Sequence, residues 1–136
     1  MTDSLTAQQA EDYLLSKPET SLYYPFGDDV KVFRVKKKMF ATIAHGKTAK
    51  SAKVSDEAKT HYWMNIKCDP DEAVMLRDIF PSIIPAYHMN KSCWNTVILD
   101  GSIPQGEIER MMDNSYMLVI REMTKKDQQS LMIKNK

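Results

Sequence analysis

The residue types that most often carry chemistry are few in this chain and poorly spaced for it. Its three histidines, His45, His61 and His88, lie far apart, and none pairs with a cysteine or carboxylate at the separation a metal site needs. Cys68 and Cys93 form no CxxC pair. His88 and Cys93 flank one short segment, but a thiolate–imidazole pair there would have no third group to orient the base. The four glycines, Gly27, Gly46, Gly101 and Gly106, build no GxGxxG, GxxxxGK[ST] or GxSxG loop. Neither a phosphate cradle nor a nucleophile elbow is therefore expected. Asp28-Asp29 suits a turn, and Asp69, Asp71 and Glu72 suit the start of a helix. The expectation is a non-enzymatic chain with no metal site and no cofactor.

Charge is the more informative pattern. Nineteen Lys and Arg against eighteen Asp and Glu leave a net charge of +1, too little for a strong attraction of the whole molecule to nucleic acid. The distribution is uneven, because residues 31–60 hold nine basic side chains against only Asp56 and Glu57. Such a patch can contact phosphates, and the candidates are Lys36, Lys37 and Lys38 at one hairpin tip, Asn90 and Lys91 at another, and Lys67 on a neighbouring strand. The competing reading is that these lysines keep strand edges and loops soluble, and that Asn90 serves a turn needing a left-handed residue. Ten methionines leave a protein partner open as an alternative to DNA. Met111, Met112 and Met117 can offer an adaptable surface, or at helical spacing can fill a core.

The elements that position these residues follow from periodicity and caps. Residues 6–17 read as a helix: Thr6 and Gln9 make a capping box, Leu5 staples against Ala10, and Pro18 ends the run. Tyr23 to Asp29 is an aromatic turn. Val30–Val35 and Met39–Ile43 form a hairpin with the three lysines at or near its tip. Residues 44–60 are polar, short-sided and Lys-rich, and read as a long mobile connection with a helical turn near Ser55–Lys59. Tyr62–Cys68 returns to strand character. Asp69 caps the next helix, Pro70 takes its first position and Glu72 closes the box, with Ala73, Leu76 and Phe80 as the buried stripe. Ile83–Met89 and Trp94–Leu99 form a second hairpin, which Trp94 anchors onto a helix. Pro104 opens a long helix with Ile108, Met111, Met112 and Ser115 inward, continuing through Tyr116–Ile120, and Thr124 caps a last helix carrying Leu131 and Met132. Two hairpins and a central strand give a mostly antiparallel sheet with helices on one face, an α+β architecture.

The 136 residues fit one domain, 1–136, and 43% apolar residues are too many for a disordered chain. No apolar run approaches a membrane span, and the first residues lack the pattern of a secretory signal. Two cysteines fit a reducing cytoplasm, and a monomer is expected.

Several segments resemble the MmcQ/YjbR family. They are Tyr24-Pro-Phe-Gly, Val32-Phe-Arg-Val with Lys38-Met-Phe-Ala, Ile66-Lys-Cys-Asp-Pro-Asp-Glu-Ala with Leu76-Arg-Asp, Ile84-Pro-Ala-Tyr-His-Met-Asn-Lys-Ser-Cys-Trp94, Leu99-Asp-Gly-Ser-Ile-Pro and Ser115-Tyr116. The resemblance covers roughly residues 5–123, and the long connection at 44–60 departs from it. It implies a small bacterial cytoplasmic protein with a curved, CyaY-like sheet. It also implies DNA binding through two hairpin wings, which the acidic remainder of the surface would keep weak, and it brings no catalytic residue set.

Overall fold

A computed structural model describes residues 6–86 and 89–134. Local signals set the helix starts. The Thr6 hydroxyl accepts from the Gln9 amide at 3.1 Å, and the Gln9 side chain accepts from the Thr6 amide at 2.9 Å, opening α1 (Ala7–Leu15). The expected Leu5 staple lies outside the described residues. Asp69 accepts from the Asp71 amide at 3.1 Å and opens α2 (Pro70–Ile79). Glu72 does not close that box; its carboxylate instead meets Arg110 at 3.0 Å on α3 (Gln105–Arg121). Thr124 caps α4 (Lys125–Lys134), accepting from the Asp127 amide at 3.2 Å.

The strands are β1 (Thr20–Tyr23), β2 (Val30–Val35), β3 (Lys38–His45), β4 (Tyr62–Lys67), β5 (Ile83–Pro85) and β6 (Trp94–Ile98). They form one sheet in the order β1-β2-β3-β4-β6-β5, with every neighbouring pair antiparallel, so the expected α+β architecture holds. The β2–β3 and β5–β6 pairs flank β4, and β1 is an added edge strand that the residue pattern does not show. β5 runs over Ile83–Pro85, shorter than the expected Ile83–Met89, with the Ala86 amide still donating to the Trp94 carbonyl at 3.3 Å and residues 87–88 outside the described residues. Lys38 belongs to β3, leaving Lys36 and Lys37 as the turn, with Lys36 at φ 55° in the left-handed region that Asn or Gly usually fills.

The helices pack on one face over a core that includes Phe33, Phe40, Ile43, Met64, Ile66 and Val97. α3 supplies its largest share: Ile108, Met111, Met112 and Ser115 point inward as expected, and the burial continues through Tyr116, Val119 and Ile120. Leu131 on α4 joins this core, whereas Met132 and, on α2, Ile79 remain at the surface. The register places Asn95 on the α2 side, where its amide donates to the Ala73 carbonyl at 3.3 Å. Trp94 therefore faces the other way, and the expected anchor onto a helix is corrected by strand alternation.

The second face is covered in part by the 44–60 connection. β3 takes its first two residues, and short 3-10 turns follow at Gly46–Thr48 and Ala58–Thr60. Ala49 packs with Trp63 and Ile98, with Ala52, Val54, Ala58 and Ile84 around them. The Trp63 indole donates to the Ala58 carbonyl at 2.8 Å. Gly46 fits here because a β-carbon would lie 2.7 Å from the Trp63 nitrogen and 2.9 Å from the His61 carbonyl.

One buried hydroxyl ties α3 to the sheet. The β3–β4 ladder ends at Ala41↔Ile66, and Phe40 and Lys67 stand next in register. Ser115, fully buried, spans them: it accepts from the Lys67 amide at 3.0 Å and donates to the Phe40 carbonyl at 2.6 Å. Replacing Ser115 with alanine strands both backbone groups and is expected to cost ~1–3 kcal/mol in urea unfolding. A second polar knot follows β6, where Asp100 precedes Gly101 at φ 89°. Burial works against the Asp100 carboxylate, but hydrogen bonds from the Ser102 hydroxyl, Ser82 and the Ser102 amide outweigh it and hold its pKa below the usual value. A depressed carboxylate stabilises the fold above its ordinary pKa, and that contribution is lost as pH falls through the folded value. Asp100→Asn should therefore melt at a lower temperature than wild type at pH 7, with the gap narrowing on acidification in melts taken from pH 7 downward.

Candidate nucleic-acid interface

The antiparallel register decides where the candidate residues lie. β3 begins at Lys38 beside the Lys67 end of β4, and Lys67 pairs with Trp94 at the start of β6. The Lys36–Lys37 turn, Lys38, Lys67 and the Asn90–Cys93 turn therefore share one end of the sheet. The axes of the two hairpins are three strand spacings apart, ~14 Å at ~4.8 Å each.

Their ammonium groups are not equally available. Lys36 meets Glu19 at 3.2 Å and Asp127 at 4.0 Å, and Lys67 meets Glu122 at 2.8 Å. Lys91 donates to the Ala86 carbonyl at 3.0 Å. Lys37 and Lys38 are exposed and hold no ion pair or hydrogen bond among the described residues. Asn90 spends its side-chain oxygen within its own turn, accepting from the Ser92 amide at 3.0 Å and the Ser92 hydroxyl at 2.7 Å. It does not adopt the left-handed conformation expected of it, because this side-chain turn shapes the backbone without one.

Two contributors escape the sequence reading. Arg77 on α2 fixes the second turn from below: its guanidinium donates to the buried Asn95 side chain at 2.7 Å and to the Lys91 carbonyl. A single arginine in the last turn of a helix gives no signal of that role. Lys125 and Lys126 are exposed in the first turn of α4, and the Lys36–Asp127 contact brings that turn against the first hairpin tip. The adjacent lysines were the available signal, hidden by their fit to a helix start.

Cys68, at this end, is not an activated thiol. Cys68 lies directly opposite Cys93, its amide donating to the Cys93 carbonyl at 2.8 Å. Burial, with Glu72 and Asp69 adding to it, pushes the Cys68 thiol up to about 11, so it is protonated at neutral pH. His88 lies outside the described residues, and so does its pairing with Cys93. Among the described residues no three His, Cys, Asp or Glu side chains gather where a metal ion could sit, and no helix is long and apolar enough to cross a membrane. Of the methionines considered for a partner surface, Met111 and Met112 are enclosed in the core and Met117 is exposed.

The same sheet-and-helix arrangement recurs in solved structures. A crystal structure of Deinococcus radiodurans protein DR2400, from domain family DUF419, superposes with a TM-score of 0.78 at 29% identity, covering 96% of this chain and 90% of that one. A crystal structure from Pseudomonas syringae gives a TM-score of 0.73 at 31% identity over 84% of this chain and 98% of that one. The uncharacterised protein YbdF of Escherichia coli O157:H7 is 30% identical over 121 residues, 89% of each chain. The uncharacterised protein YjbR of Escherichia coli K12 is 37% identical over 57 residues, 42% of this chain and 48% of that one. The YjbR family pattern matches residues 15–118, the whole sheet and most of α3 with it, and the chain belongs to the YjbR family.

Proposed function

We propose that this protein binds the phosphate backbone of DNA weakly and with little sequence preference, through the end of the sheet that carries both hairpin tips, the first of them against α4. The observation that carries this reading is the grouping there of four exposed lysines, Lys37, Lys38, Lys125 and Lys126, whose ammonium groups have no partner among the described residues. The hairpin separation of ~14 Å is close to the ~12 Å width of a DNA major groove, which supports two tips following one duplex. Glu19, Glu122 and Asp127 already occupy Lys36 and Lys67, so the attraction is smaller than a count of lysines suggests. With the net charge of +1, this favours the non-specific range of ~10⁻⁴–10⁻⁶ M.

Four neutralised phosphates correspond to a slope of about −3.6 in log K against log salt, roughly a hundredfold loss between 50 and 200 mM. Fluorescence anisotropy of a labelled duplex should show that dependence. Lys37→Glu/Lys38→Glu and Lys125→Glu/Lys126→Glu should each weaken binding about tenfold or more at 50 mM salt. Absence of binding by wild type, or binding indifferent to both pairs of changes, refutes the proposal.

A further inference from the structure

A cavity of about 530 Å³ opens on the second face of the sheet, away from the helices. Its apolar lining comes from Val30, Met39 and Ala44 on the sheet and from Phe26 and Met89 on flanking turns. Its polar lining is Thr48, Thr42 and Asn65. We infer that this cavity is a binding site for an uncharged, mainly apolar small molecule that carries a hydrogen-bond acceptor.

Three observations set the ligand class. First, none of the described lining residues is ionisable, so a charged ligand would lose its hydration with no counter-charge in return. Second, the lining leaves hydrogen-bonding capacity unused. The Asn65 oxygen accepts from the Thr96 hydroxyl, while the Asn65 amide nitrogen and the Thr42 hydroxyl make no hydrogen bond to a described residue and lie on the open lining, where a ligand can reach them. Thr42 is itself more than nine-tenths buried, and two donors on an otherwise apolar surface call for an acceptor on the ligand. Third, the space comes from residue choice within one strand. On the helix face β3 uses Phe40 and Ile43, which fill the core, whereas Thr42 and Ala44 leave room on this one. The volume falls in the ~300–1,000 Å³ range of small-molecule sites.

The site shares no residue with the proposed phosphate-contacting end, and the two readings fail separately. The probe is N-phenyl-1-naphthylamine, a neutral fluorophore whose emission rises in apolar surroundings. Titration of the full chain should give a saturable rise with one site per molecule. Ala44→Phe, which fills the cavity, should weaken binding about tenfold or more. Lys37→Glu/Lys38→Glu should leave it unchanged. Should Ala44→Phe prove unfolded by circular dichroism, wild-type NMR decides, with intermolecular Overhauser effects expected from the probe to the Met39 and Met89 methyls. A non-saturating titration, equal affinity in a folded Ala44→Phe, or Overhauser effects to exposed Met117 or Met132 instead, overturns the assignment. Tighter binding of the anionic 1-anilinonaphthalene-8-sulfonate overturns the neutral class.

Discussion

The Ser115 hydroxyl, set between the Lys67 amide and the Phe40 carbonyl, is the contact on which the lysine-bearing end of this fold depends. Where the β3–β4 ladder stops, two strands would otherwise part and leave buried backbone groups without partners. A helix side chain takes both, so β4 stays attached while the β2–β3 turn continues beyond it. The neighbouring Tyr116 reinforces the join, stacking edge-on against Phe40 at 5.4 Å and donating to the Pro18 carbonyl at 2.7 Å. One turn of α3 thus fixes the base of the first hairpin and the chain entering β1.

The second turn is held by different means. Arg77 bridges α2 to Asn95 and to the Lys91 carbonyl, a charged donor satisfying acceptors that the sheet edge cannot. Both tips are therefore held from the helix layer, one through a neutral hydroxyl and the other through a guanidinium. The charge there is moderated in the same way. Carboxylates on the segment before β1, after α3 and on α4 occupy Lys36 and Lys67, leaving a cationic end far milder than the lysine run implies.

Much of the fold was legible because it rests on local chemistry. Thr6, Asp69 and Thr124 cap the helices they should, and α3 carries its inward face without a break through Ile120. What stayed hidden is non-local. β1 is four residues long, follows Glu19 in a left-handed conformation, and is a strand only because Phe33 and its neighbours pair with it. Ala49, Ala52, Val54 and Ala58 are too small and irregularly spaced to announce a cluster, yet Trp63 collects them. The candidate lysines could be picked out as a segment, but which remain free is decided by partners such as Glu122, 55 residues from Lys67.

Both tryptophans of the chain, Trp63 and Trp94, lie on the sheet surface turned away from the helices. Emission excited selectively from tryptophan is consequently a one-sided reporter. It registers how the long connection and the second hairpin sit on their side of the molecule, and it is silent about fraying of α1 or α4 on the other.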